Sequence, residues 1–469
     1  MVFSSAWFLF GFFPVFFGIY FLVPHRWKNL WALVGSTFFY AWGGPAFVFV
    51  LFASLTADYF ISLQFSKSTE KRRKSLLTLG LIINVGLLVY FKYANFFVDN
   101  FSLLLEALGM SGLHWTKVAL PIGISFFTFQ KISYLVDVYR GEKAPLKKWT
   151  DYALFVVLFP QLIAGPIVRF KEIADQIVDR RKWLIPEERL LGLFRFSIGL
   201  GKKILIANPM GAVADGILNG TIDPNGGQAW LAMICYTFQI YFDFSGYSDM
   251  AIGLGRMMGF HFPENFNFPY LSKNITEFWR RWHITLSSWM RDYLYIPLGG
   301  NRKGVRRTYI NLWLVFLISG LWHGDSWNFV IWGAYHGLWL VLERAYLLKK
   351  LSRLPNLVQI VLTFLLVMVG WLIFRIEDMS QLGHYLEGLL HFTPKGFKLD
   401  TSDVIVLILA VAFSFWNFSP RAQKWEQTVY KTLSPKKALY LSLIAFSLIL
   451  ISSIGVASSE FNPFIYFRF

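Results

Sequence analysis

Charge is scarce in this sequence. Of 469 residues only 16% are Asp, Glu, Lys or Arg, against roughly 25% in an ordinary soluble protein. With 55% hydrophobic and 19% aromatic residues, that shortage excludes a disordered chain and argues against a soluble enzyme. Cysteine is almost absent. The single Cys235 excludes an intramolecular disulfide framework and a cysteine zinc site. Several catalytic and cofactor motifs are also missing. Gly201-Lys202-Lys203 lacks the upstream Gly and the Ser/Thr of a phosphate-binding loop, and Gly253-Leu254-Gly255 to Gly259 has the wrong spacing for a dinucleotide fingerprint. No G-x-S-x-G elbow and no H-E-x-x-H helix occurs. None of the eight histidines lies three or four residues from another, which excludes the paired-histidine boxes of di-iron membrane desaturases. No metal site and no bound cofactor is expected.

Apolar runs recur along the whole chain at the spacing of bilayer-spanning helices. The pattern predicts one all-α, polytopic membrane domain over 1–469, with about eleven to thirteen membrane segments and no soluble part. Lys and Arg number 45 against 28 Asp and Glu, a formal charge of +17. In a soluble protein this excess would suggest nucleic acid. Here it marks cytoplasmic loops, so the lipid bilayer is the expected partner and nucleic acid is not. No basic residue precedes the first apolar run, and Arg26 and Lys28 follow it, the order of a retained span with its N-terminus outside. Residues 30–63 suit two spans folded at Gly43-Gly44-Pro45, and 75–91 and 116–139 one each. Further runs lie near 152–166, 190–207, 228–255, 309–322, 327–346, 356–374, 403–417 and 438–455. Basic clusters at 302–307, 349–353 and 421–437 then face the cytoplasm, and the aromatic tail 456–469 faces outward.

The chemical signal is ionisable residues inside apolar sequence, where each is costly. Tyr236, Gln239, Asp243 and Tyr247 fall on one face of a helix that also carries Asp249, a polar stripe that serves either a tunnel or interhelical glue. In Glu277–Asp292 a continuous helix would align Arg280, His283, Ser287 and Arg291 opposite Trp279, Trp282, Leu286, Trp289 and Tyr293. That is the form of an interfacial helix, yet a phosphate-facing stripe would be better served by Lys than by His283. The third group is Trp322-His323-Gly324 with His336. A helix starting near 309 would reach Trp322 after a rise of about 21 Å, short of the roughly 30 Å hydrocarbon core, which leaves His323 below the outer surface. Neutral histidine is the usual general base for a hydroxyl acceptor, but a buried histidine is commonly structural.

Phe91-Lys92-Tyr93-Ala94-Asn95-Phe96, Leu120 to Phe126, Ala164-Gly165-Pro166, Tyr241 to Asp249, Glu277 to Ser287, Asp292 to Tyr295, Leu298 to Arg302 and Gly320 to Gly324 together resemble the membrane-bound O-acyltransferase family. Within it they resemble its bacterial members of alginate O-acetylation, along essentially the whole chain. The resemblance implies a ring of tilted helices around a tunnel. It makes His323 catalytic and His283 a second active-site histidine, and leaves Gln239, Asp243, Tyr247, Asp249, Arg280, Ser287, Trp322 and His336 as candidates for substrate binding or tunnel lining. It also implies an inner-membrane O-acetyltransferase with both termini periplasmic, drawing on a cytoplasmic thioester, acetyl-coenzyme A. The implied partners are a periplasmic polysaccharide acetyltransferase and exopolysaccharide biosynthesis proteins. Alginate is the favoured polymer, then cellulose, then peptidoglycan. The last six residues, 464–469, resemble the aromatic motif of a companion peptide in the D-alanylation branch, which makes Tyr466 a candidate acyl relay; an interfacial aromatic anchor is the alternative. The reading from another class is a transporter whose path the same polar residues line.

Overall fold

The computed structural model describes all residues except 222, 392, 394–397, 430–432, 459–463 and 466–469, and all but the side chains at 420 and 425–427 among the rest. Regular structure among the described residues is entirely helical, as the pattern predicts. It falls into two compact units, one formed by Met1, Trp7–Ile185 and Met258–Phe262, the other by Val2–Ala6, Pro186–Met257 and Pro263–Phe469.

In the first unit a π-helical turn leads into α1 (Phe13–Leu22), and Pro24 separates it from α2 (His25–Ala41). Gly43 and Gly44 break the chain where expected, and Pro45 opens α3 (Pro45–Phe65), its fixed φ suiting a first helical turn. Next come α4 (Glu70–Ala107) and α5 (Ile124–Arg140), which stops at Gly141 with φ +75° and the Glu142 N–H on the Asp137 carbonyl at 2.9 Å, a left-handed cap. Three short helices follow, α6 (Trp149–Val157), α7 (Phe159–Leu162) and α8 (Phe170–Val178). A buried ion pair joins α3 to α5, with Lys131 Nζ 3.3 Å from Asp58 Oδ2, and Asn84 of α4 donates to the same carboxylate at 2.9 Å. Low-dielectric surroundings make such a pair register-specific.

The second unit is built on α9 (Pro186–Gly201), α10 (Asn208–Leu218) and the long α11 (Gly226–Met257). Helix α9 lies directly on α11: a Cβ at Gly253 would stand 2.5 Å from the Gly192 carbonyl oxygen, so only glycine permits this approach. Two short helices, α12 (Ile275–Arg281) and α13 (Ile284–Met290), precede the hairpin of α14 (Val305–His323) and α15 (Trp327–Leu342). There a Cβ at Gly333 would meet the Phe316 carbonyl at 2.5 Å. The unit closes with α16 (Leu348–Leu351), α17 (Asn356–Arg375), α18 (Met379–Leu390), α19 (Thr401–Phe415), α20 (Pro420–Val429) and α21 (Pro435–Ser458).

Among the described residues five helices are long and apolar enough to cross a bilayer: Pro45–Phe65, Glu70–Ala107, Asn356–Arg375, Thr401–Phe418 and Pro435–Ser458. Their outward apolar side chains, Phe49, Ile82, Leu357, Ile408 and Phe446 among them, are exposed as lipid contact requires. The count of eleven to thirteen segments is not reproduced by these criteria, because several apolar runs are broken or buried. The run at 152–166 forms two pieces, the first nine residues long and about 14 Å in rise, with Tyr152 to Phe159 wholly buried. The expected 116–139 span starts as a helix only at Ile124, whereas the 75–91 span lies within a helix of 38 residues.

Candidate active site

The helix expected across Glu277–Asp292 is two helices. Trp282 is extended, with ψ 130°, and His283 takes left-handed backbone angles, φ 43° and ψ 53°. Its imidazole Nδ1 then accepts from the Leu286 N–H at 3.3 Å, capping α13 as an Asn or Asp would. This break resets the helical phase. Trp279, Trp282, Leu286 and Trp289 are buried and Arg280 and Arg291 exposed, as the amphipathic reading has it, but His283 leaves the basic face and is completely buried. Ser287 is half-buried one turn along α13.

A left-handed non-glycine residue costs about 1–3 kcal/mol and persists only where its surroundings impose it. Among the described residues there are two, His283 and Phe268, and they lie on adjacent segments of this unit. The segments are tied by backbone hydrogen bonds, Asn267 N–H to the Arg281 carbonyl at 2.9 Å and Ile284 N–H to the Asn265 carbonyl at 3.0 Å. Asn265, wholly buried, completes the clamp: its Oδ1 accepts from the Thr285 hydroxyl at 2.8 Å, and its Nδ2 donates to Ser248 Oγ of α11 at 3.0 Å. At the other end, the buried Glu343 carboxylate accepts from the Ile275 and Thr276 N–H groups at 2.6 and 2.9 Å and from the Thr276 hydroxyl at 2.8 Å. It thereby satisfies the N-terminus of α12, with Asn274 as its cap.

His323 ends α14, which starts at Val305 instead of near 309 and rises about 28 Å. The length shortfall that placed His323 below the surface therefore disappears. Its burial comes from packing instead. Its ring lies 4.9 Å from Trp322, 5.0 Å from Trp332 and 5.3 Å from Phe374, centroid to centroid. Gly324 is dictated locally, because a Cβ there would enter the Phe329 ring. Trp322 also contacts His283 at 6.2 Å, and Trp332 contacts His336 at 5.0 Å. The three histidines therefore alternate with indoles in one buried aromatic cluster. His336 accepts from Trp279 Nε1 at 3.4 Å through Nδ1, and its Nε2 has no partner among the described residues.

The polar stripe of α11 is buried throughout but divides into separate tasks. Asp243 pairs with Lys203 at 2.6 Å, and Asp249 pairs with Arg195 and Lys202 at 2.7 Å each. Gln239 lies against Gly211, and Tyr236 is 1% exposed. Tyr247 stacks between Phe3 and Phe464, with centroids at 4.6 Å on both sides. Phe244, which contacts His283 at 4.7 Å, also meets Phe464 at 5.8 Å. Tyr466 lies outside the described residues. Among the described residues no three His, Cys, Asp or Glu side chains gather as metal ligands.

The sequence reading missed Asn265, Glu343, Trp332 and Lys203. Glu343, inside the apolar run 327–346, and Lys203, inside 190–207, carried the signal of embedded charge; Asn265 and Trp332 did not.

A model of the membrane-bound O-acyltransferase family matches residues 73–376. The probable alginate O-acetylase AlgI of Pseudomonas aeruginosa is 48% identical, over 84% of this chain and 75% of its own length. Its namesake in Pseudomonas putida is 42% identical over the whole of both chains. The peptidoglycan O-acetyltransferase of Helicobacter pylori is 37% identical over all of this chain and 98% of its own. Together with the helical membrane architecture and the buried histidines, these matches show that the chain belongs to the membrane-bound O-acyltransferase family and is an O-acyltransferase.

Proposed function

We propose that this multi-pass protein sits in the bacterial inner membrane, with both termini periplasmic, and moves acetyl from cytoplasmic acetyl-coenzyme A to the hydroxyls of an extracytoplasmic polysaccharide. Alginate is the polymer favoured by the names of the relatives, with cellulose and peptidoglycan as the alternatives on the same chemistry. The observation that carries the reading is the aromatic enclosure of His323, coupled through Trp322 to the strained turn at His283. Strain held by a dedicated clamp points to a site where position matters more than stability.

In this reading His323 takes the proton of the acceptor hydroxyl as its oxygen bonds to the thioester carbon. The carbon–sulfur bond then breaks, and the proton passes to the departing thiolate. His283 or Ser287 stabilises the developing oxyanion, while Trp322, Trp332 and Phe374 exclude water. His336, Gln239, Tyr247, Asp249 and Arg280 are second-rank candidates for substrate binding. Tyr466 is the proposed first acceptor: its phenol takes the acetyl and gives it to a periplasmic acetyltransferase, since phenolate, with a pKa of about 10, leaves far more easily than a sugar alkoxide. Burial of the preceding residues, Phe464 and Ile465, supports that placement. His323→Ala tests the reading. Transfer of labelled acetyl by purified protein in detergent should fall by a factor of about 10² to 10⁴ while the protein still accumulates in the membrane. Wild-type transfer would remove His323 from the mechanism.

A further inference from the structure

Asp243 is one of the most costly side chains in the second unit. Its carboxylate is 1% exposed on the middle of α11, where an ion survives only with good partners. Lys203, itself 4% exposed in the π-helical turn Lys202–Ala207, lies 2.6 Å from Oδ1 and balances the charge. The second oxygen faces elsewhere. Oδ2 accepts the backbone N–H of Ile465 at 2.7 Å, across 222 residues of sequence. A carboxylate accepting a backbone N–H is a charge-assisted bond, and it reads main chain without regard to the side chain. The Phe464 side chain, 1% exposed, completes the attachment by stacking on Tyr247 and touching Phe244, which also contacts His283.

We propose that Asp243 is a positioning residue that clamps the Phe464–Ile465 segment of this chain against the histidine-bearing cluster, with Lys203 paired to its other oxygen. The ion pair alone would explain Lys203 and Oδ1 but not the choice of a buried acid over an apolar pair of similar volume, which is commonly neutral or stabilising. The second acceptor supplies that reason. Phe3 also stacks on Tyr247 at 4.6 Å, so the segment joins an aromatic stack beside the ion pair. The inference deepens the acyl-transfer reading by naming what fixes the segment before Tyr466, but docking itself is measured without any acyl donor.

The test compares two neutral replacements of the pair in the full chain by hydrogen exchange and mass spectrometry. Lys203→Met with Asp243→Asn removes both charges and keeps an oxygen for Ile465, whereas Lys203→Met with Asp243→Leu removes the acceptor as well. Deuterium uptake of the peptide containing Ile465 should stay near wild type in the first and rise about tenfold or more in rate in the second. Uptake across α9 and α11 reports whether each variant is folded. Ile465→Pro is the companion variant: it deletes the donor and leaves the Asp243–Lys203 pair untouched, so it must also raise uptake in the rest of that peptide. Equal uptake in the two double variants, or no rise in Ile465→Pro, would overturn the clamp. Labelled acetyl transfer is then measured on the same samples. Loss of protection with full transfer would refute the positioning role while leaving docking intact, and loss of transfer with protection retained would point to the chemistry instead.

Discussion

Asn265→Ala should damage turnover without touching any reacting atom. The substitution removes the bonds from the Thr285 hydroxyl at 2.8 Å and the Thr285 N–H at 3.4 Å, and it takes from the Ser248 hydroxyl, 1% exposed, its Asn265 partner at 3.0 Å. The lost Thr285 hydroxyl bond is worth about 0.5–1.5 kcal/mol net and the buried Ser248 hydroxyl left unpaired costs about 1–3 kcal/mol, so a total of about 1.5–4.5 kcal/mol is expected. That is as large as the roughly 1–3 kcal/mol of strain in a left-handed His283. The clamp and the strain are therefore matched, and losing one releases the other. A histidine displaced by about 1 Å costs up to 10² in rate, so kcat should fall about tenfold to a hundredfold while KM for acetyl-coenzyme A stays within about twofold. The assay is steady-state transfer of labelled acetyl in detergent, run as a cycle with Thr285→Val. If Asn265 acts through Thr285, the double variant should be scarcely worse than Asn265→Ala alone, with a coupling of about 0.5–3 kcal/mol. Strictly additive losses, or full kcat in Asn265→Ala, would refute the argument.

Gly324→Ala should abolish transfer, because its Cβ enters the Phe329 ring; Phe329→Leu in the same chain should recover part of it, and no recovery would mean the glycine serves another purpose. Tyr466→Phe keeps an aromatic anchor and removes only the hydroxyl, so polymer acetylation should be lost, and normal polymer acetate would sink the relay. Neutralising the exposed Arg302, Lys303, Arg306 and Arg307 together should raise KM for acetyl-coenzyme A if they attract its phosphates. An altered orientation with KM unchanged would reduce them to topology signals.

Much of the candidate site was legible because embedding a polar residue in apolar sequence is costly enough to be informative. His323, His283, His336, Asp243 and Tyr247 were all singled out on that ground, and all five are buried. Their partners were less visible. Asn265 lies in a polar stretch, Pro263-Glu264-Asn265-Phe266-Asn267, that reads as ordinary loop, and Lys203, though inside the apolar run 190–207, adjoins Lys202 and has no partner within reach in the local sequence. Hydrogen bonds spanning 20 residues, or 222 in the case of Ile465 and Asp243, leave no local periodicity to detect.

Composition and periodicity by themselves determined that the chain is helical and built for a membrane, since a backbone in lipid must satisfy its own hydrogen bonds and a helix does so locally. They also placed the turn at Gly43-Gly44-Pro45 and the apolar helices Asn356–Arg375 and Pro435–Ser458. Only the tertiary structure decided where helices stop within an apolar run. A straight helix through His283 would put the imidazole on the exposed basic face. The clamp from Asn265 and the Glu343 carboxylate that accepts from the start of α12 make the left-handed turn cheaper than continuing, and the ring swings into the aromatic cluster. That choice is set by groups far apart in the chain, whose energies a local reading of side-chain spacing does not contain.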